Sequence, residues 1–125
     1  MAAVLEINNV SKTFDGVKAV DGLSLAVEEH QIASLIGPNG AGKTTLFNLI
    51  CGFLHSDGGS IVFRGKALDG MGPHHVARLG VGRTFQDLRL IRKVSVLDNI
   101  MLGFQNQAGE GVLHSLRVPR PRPGL

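Results

Sequence analysis

Apolar and polar positions alternate at the start of the chain. Leu5 and Ile7 flank Glu6 and are followed by Asn8, the period of a strand with one buried face. Ser11 to Gly16 is turn-like, and Leu23, Leu25 and Val27 then alternate with Ser24 and Ala26 as a second strand. The polar cluster Glu28-Glu29-His30-Gln31 separates it from Ile32-Ala33-Ser34-Leu35-Ile36, an uncharged run suited to a buried strand. So brief a polar link predicts a hairpin between these two. Gly37 to Gly42 forms a loop rich in glycine, and behind it Leu46, Leu49, Ile50 and Phe53 fall at i, i+3, i+4 and i+7 on one helical face. Gly52 marks the expected end of that helix, so the local order is strand, glycine loop, helix.

His55-Ser56-Asp57-Gly58-Gly59 predicts a turn, with Ile61-Val62-Phe63 as the strand that follows. Pro73 and Gly80 bracket a short helix that turns Val76 and Leu79 inward. Val81 to Gln86 reads as a strand or its exit, and Val94 to Phe104 has helical spacing at Val96, Ile100 and Phe104. Beyond Gln105 the periodicity fades. Residues 106–125 are expected to be a poorly structured tail, with the Pro/Arg run from Val118 to Gly124 extended rather than helical.

Composition narrows the class. The 125 residues are one domain's worth, and 43% apolar with 18% charged residues fits a folded domain rather than global disorder. No apolar run approaches the roughly 18 residues needed to cross a bilayer. The first ten residues lack the basic region of a secretory signal. Cys51 stands alone, which leaves no intrachain disulfide and makes a reducing, cytosolic setting the expectation. The formal charge of +3 hides an asymmetry: residues 1–63 carry three basic and six acidic side chains, residues 64–125 ten and four. A basic half suits an anionic partner or a solvated face. With six Phe and neither Tyr nor Trp, platforms for stacking nucleic-acid bases are scarce, and no nucleic-acid partner is expected. The five histidines are isolated, or adjacent with diverging directions (His74, His75), and no metal cluster is expected from them.

Gly37-Pro38-Asn39-Gly40-Ala41-Gly42-Lys43-Thr44 carries the chemistry. It matches GxxxxGK[ST] in full, a string that chance places in roughly a few chains per thousand at average residue usage. A polyphosphate is costly to desolvate unless many donors converge on it. Glycines let successive backbone amides turn inward, and the following helix start adds free amides and a favourable dipole. Lys43 supplies a full positive charge to the terminal phosphates, and the Thr44 hydroxyl is placed to ligate Mg²⁺. A glycine-rich turn with an exposed lysine is the plain alternative.

GPNGAGKTTL, with Phe14 upstream in KTFDGVKAV and Gln86 downstream in GRTFQ, resembles the ATP-binding subunits of ABC transporters. LIGPNGAGKTTLFNLICGF and ARLGVGRTFQDLRL look most like the ATPase subunits of branched-chain amino acid importers, with the urea or amide importer group close by. The resemblance implies an α/β fold, the P-loop NTPase core of an ABC ATPase, incomplete and with an N-terminal antiparallel β-part. It runs from about Val4 to Phe104 and implies that residues 1–105 are the N-terminal part of that domain, from the phosphate loop to the Q-loop and the start of the helical subdomain. It implies ATP and Mg²⁺ as cofactors, with Gly37 to Thr44 and Thr45 around the phosphates. Phe14 would stack on adenine, or is an ordinary Phe; Val20 would pack near the base and ribose, or is a core valine. Gln86 would reach Mg²⁺ or the attacking water. The segment from Asp87 to Lys93 would face a membrane subunit, giving Arg89, Arg92 and Lys93 a protein partner. The implied partners are transmembrane permease subunits and a second ATPase subunit, at the cytoplasmic face of the membrane.

Four elements of that family pattern do not occur in the 125 residues: the signature loop, a Walker B strand ending in Asp, a catalytic Glu and a switch His. Val94-Ser95-Val96-Leu97-Asp98 imitates Walker B, but polar Ser95 interrupts it and Asn99 stands where an acid is needed. The expectation is therefore the N-terminal half of an ABC ATPase domain, or a non-catalytic nucleotide-binding fragment. Weak nucleotide binding at best is expected, together with marginal folding and uncovered apolar surface along Ile32 to Ile36.

Overall fold

The first two strands are longer than their alternating cores and pair with each other. In the computed structural model, which describes residues 2–84 and 90–102, β1 is Ala3–Phe14 and β2 is Val17–Glu28. Their antiparallel register sets Leu5 against Val27, Ile7 against Leu25 and Phe14 against Val17. The turn between them is Asp15-Gly16, both with positive φ (45° and 82°), the two-residue geometry whose twist matches a hairpin. Ser11 to Phe14 thus belongs to the strand, and only Asp15 and Gly16 make the turn expected over Ser11 to Gly16.

The hairpin expected between the second strand and Ile32–Ile36 does not form. Glu28 to Gln31 does turn, with the Gln31 amide donating to the Glu28 carbonyl at 3.2 Å and the Gln31 side chain accepting from the Glu28 amide at 2.8 Å. Residues 31–38, however, adopt no regular structure, and no described strand pairs with them. Ile32 and Ile36 are 96% and 92% exposed. A strand needs a partner edge, and an apolar run without one stays uncovered.

Helix α1 spans Lys43–Ile50, and Leu46 and Leu49 are its buried face as the spacing predicts; Phe53 falls beyond the helix and is half exposed. Strand β3 (Gly58–Phe63) pairs with β1, and the two-residue β4 (Lys66–Ala67) pairs with β3. The result is an all-antiparallel sheet in the order β2-β1-β3-β4. Helix α2 is Pro73–Arg78, with Pro73 in its first turn and Val76 buried. Of the strand or strand exit expected over Val81 to Gln86, residues 81–84 form no strand, and Phe85 and Gln86 lie outside the described residues. The core under the sheet is Ile7, Val10, Val20, Leu46, Leu49, Ile61, Leu68 and Val76, with no buried polar residue among those described.

These elements form one compact unit, residues 1–84. The second unit, residues 85–125, contains α3 at Val96–Met101. Ser95 caps α3: its hydroxyl oxygen accepts from the Asp98 amide at 3.1 Å and its O–H donates to the Asp98 carboxylate at 2.7 Å. The Walker B imitation is therefore a helix start. The tail expected over residues 106–125 lies outside the described residues.

One surface carboxylate fastens the hairpin to the turn before β3. Asp57 accepts from the Thr13 amide at 2.7 Å and from the Lys12 ammonium at 3.3 Å. The Thr13 amide first, then Lys12, hold its carboxyl below the ordinary value of 3.8. A depressed folded-state value means that this contribution is fully present above 3.8 and is lost as pH falls through the lower folded-state value. As pH falls below 3.8 the thermal midpoint is expected to drop, and the drop should be smaller in Asp57→Asn. Thermal melts of the two proteins across that range provide the check.

Candidate functional site

The loop from Gly37 to Gly42 is held between two backbone contacts. The Ala41 amide donates to the Pro38 carbonyl at 3.1 Å, closing a turn, and the Leu46 amide donates to the Gly42 carbonyl at 2.9 Å, starting α1. Pro38, Asn39, Gly40 and Ala41 are exposed, while Gly37, Gly42 and Lys43 are half-buried. Gly42 has φ 92° and ψ 10°, a left-handed conformation that a side chain resists. A Cβ there would stand 2.1 Å from the Ala19 carbonyl oxygen of β2, so the loop rests directly on the hairpin backbone.

No side chain caps α1, and no acidic residue lies in its first turn, so the amides at its start are left for an external acceptor. The Lys43 ammonium donates to the Gly37 carbonyl, which folds the cation back across the loop. Thr44 is exposed beside it and Thr45 is half-buried. Loop amides, an uncapped helix start, one ammonium and one hydroxyl make a donor set that suits a polyphosphate. The hydroxyl also suits a hard divalent cation.

The other candidates sit on the hairpin or beyond description. Phe14 ends β1 and is 42% exposed, and the Lys12 ammonium lies 5.4 Å from its ring centroid. Val20 is 7% exposed and belongs to the core; one of its methyls lies 3.7 Å from the position a Gly42 Cβ would take. Gln86 and Arg89 lie outside the described residues, while Arg92 and Lys93 are exposed in the second unit. His74 and His75 meet edge to face with centroids 5.6 Å apart, and no group of three or more metal-ligating side chains occurs among the described residues. No described helix is long and apolar enough to cross a membrane. Sequence reasoning assigned nothing to Ala19, whose carbonyl sets the floor under Gly42. No local signal marks it, because a contact across 23 positions is a product of the fold.

Comparison with known proteins gives this geometry its family. The ABC transporter family matches residues 20–120. The chain is 41% identical over 113 residues to the probable branched-chain amino acid transport ATP-binding protein LivG of Archaeoglobus fulgidus, covering 90% of this chain and 44% of that protein. It is 44% identical over 99 residues to the high-affinity branched-chain amino acid transport ATP-binding protein BraF of Pseudomonas aeruginosa, covering 79% and 39%. Among solved structures, an ATP-binding cassette of an ABC transporter in its ADP conformation superposes with a TM-score of 0.76 at 35% identity, over 100% of this chain and 49% of that one. The chain spans less than half the length of the relatives it matches. The glycine loop seated on an antiparallel hairpin lies within the stretch that is matched, and the chain belongs to the ABC transporter family.

Proposed function

We propose that residues Gly37 to Thr45 take the phosphates of ATP, and that the chain is the nucleotide-binding part of an importer's ATP-binding subunit for branched-chain amino acids. The uncapped start of α1, fed by the glycine loop and flanked by Lys43, carries the reading. On ATP binding, Lys43 exchanges its Gly37 carbonyl for phosphate oxygens, and the loop amides replace the water around the anion. The Thr44 hydroxyl would hold Mg²⁺ together with Gln86; when bound, that ion offsets charge on the terminal phosphates. The exposed ring of Phe14 offers a face to adenine, and Val20 supports the loop from the core.

The names of the LivG and BraF relatives support branched-chain amino acids as the transported solute. Permease subunits and a second ATPase subunit are the partners this reading implies, at the inner face of the membrane. No residue described here is assigned to the hydrolytic step. Hydrogen exchange tests the nucleotide reading: MgATP is expected to slow exchange at the amides of Gly37 and of residues 39–45, and AMP, which lacks the terminal phosphates, is not. Equal protection by AMP, or none by MgATP, contradicts it.

A further inference from the structure

Lys12 stands between a carboxylate and an aromatic ring. Its ammonium lies 3.3 Å from an Asp57 carboxylate oxygen and 5.4 Å from the centroid of the Phe14 ring. Its side chain is 17% exposed, against 50% for that of Asp57. Lys12 and Phe14 are two positions apart on β1, the spacing at which side chains share a face of a strand. A cation within about 6 Å of a ring centroid is drawn to the electron-rich face of the ring. The ammonium therefore occupies one face of Phe14, while the residue as a whole stays 42% exposed.

Asp57 also fixes the backbone that leads to the ring. Its amide donates to the Ser11 carbonyl at 2.8 Å, and its carboxylate accepts from the Thr13 amide at 2.7 Å. Ser11, Lys12 and Thr13 are thus held one after another, immediately before Phe14. The pairing of β1 with β2 does not supply this order, because its register shifts on both sides of Lys12. On the facing strand, Lys12 pairs with Val20 and Phe14 with Val17, and Gly42 rests on the Ala19 carbonyl between them. The end of the hairpin that carries the ring is therefore the part that seats the glycine loop.

We propose that Lys12, held by Asp57, is a positioning residue for Phe14: it occupies one face of the ring and leaves the other to the adenine of a bound nucleotide. This rests on the reading of the loop and of Phe14 given above, and adds residues that act through the ring rather than on the nucleotide. A ring already fixed on one side loses little further freedom when a base stacks on the other.

The test is titration of the whole chain with MgATP and with magnesium tripolyphosphate, which carries the phosphates and no base. The proteins are wild type, Lys12→Met, Lys12→Arg, Phe14→Leu and the Lys12→Met, Phe14→Leu double variant. Lys12→Met keeps an apolar stem and removes the charge; it is expected to weaken MgATP about fivefold and tripolyphosphate less than about twofold. Lys12→Arg keeps a cation for both ring and carboxylate and should recover most of that loss. Phe14→Leu should itself weaken MgATP about tenfold, and adding Lys12→Met to it should change the affinity less than about twofold, because the effect passes through the ring. Equal losses for MgATP and tripolyphosphate overturn the proposal, since they mark Lys12 as a charge for the phosphates or a support of the fold. So does a Lys12→Met protein that binds MgATP like wild type, or a loss that persists in full without the ring. A wild-type chain that binds neither ligand overturns the phosphate reading itself, and a Phe14→Leu protein that binds MgATP like wild type overturns the stacking of adenine on Phe14.

Discussion

Gly42→Ala is expected to lose nucleotide binding and much of the stability of residues 1–84. The added Cβ would lie 2.1 Å from the Ala19 carbonyl oxygen and 3.1 Å from its carbon, both backbone atoms of β2. Side chains swing aside at low cost, but a carbonyl fixed within a paired strand does not. The left-handed φ of 92° adds roughly 1–2 kcal/mol of strain for any residue with a Cβ. Together these place the cost at about 3 kcal/mol, a large share of the ~5–15 kcal/mol that holds a typical domain. Thermal unfolding followed by circular dichroism should register a midpoint lowered by more than about 10 °C. The alternative to unfolding is that the loop lifts from the hairpin, which misaligns its amides and the start of α1. Binding is therefore lost either way, and a Gly42→Ala chain that melts and binds like wild type would refute the seating of the loop.

Lys43→Ala separates binding from folding. Its side chain is half-buried, but its contact is one hydrogen bond to the Gly37 carbonyl at the loop surface, and it takes part in no ion pair among the described residues. Truncation should shift the thermal midpoint by less than about 3 °C, as expected for a site outside the core. Nucleotide binding is a different matter, since Lys43 is the one full positive charge within the loop motif. Charge-assisted hydrogen bonds each contribute about 1.5–3 kcal/mol, and the ammonium can make more than one to a triphosphate. An affinity loss of about 100-fold or more, ~2.7 kcal/mol, is the expected outcome.

The parts of the fold legible in the sequence are those whose signal is local. Alternation at Leu5-Ile7 and Leu23-Leu25-Val27, the helical spacing of Leu46 and Leu49, and the bracket of Pro73 and Gly80 each report a short-range period. All four elements appear with these residues inward, whereas Phe53, also expected on the inner face of α1, lies beyond the helix and is half exposed. The glycine loop is legible for the same reason, since its motif occupies eight consecutive residues. Ile32 to Ile36 has the composition of a buried strand, yet pairing depends on a neighbouring edge that local pattern cannot report, and the segment stays uncovered. The hairpin forms between β1 and β2 through the Asp-Gly step at 15–16, whereas the polar turn after Glu28 is real but leads to no paired strand. Strand β4 has only two residues, too few to carry a period. Ala19 beneath Gly42 and Asp57 beside Lys12 were invisible, since contacts over 23 and 45 positions exist only once the chain has folded.

The account stands on one claim: the donors of residues 37–45, poised on the β1–β2 hairpin, bind the phosphates of a nucleotide. Calorimetric titration of the wild-type chain with MgATP, run beside Lys43→Ala, tests it most directly. Saturable one-to-one binding by wild type, weakened about 100-fold in a Lys43→Ala protein that still melts like wild type, is the predicted result. Heats indistinguishable from dilution for the wild type, or equal affinity in the two proteins, would contradict it.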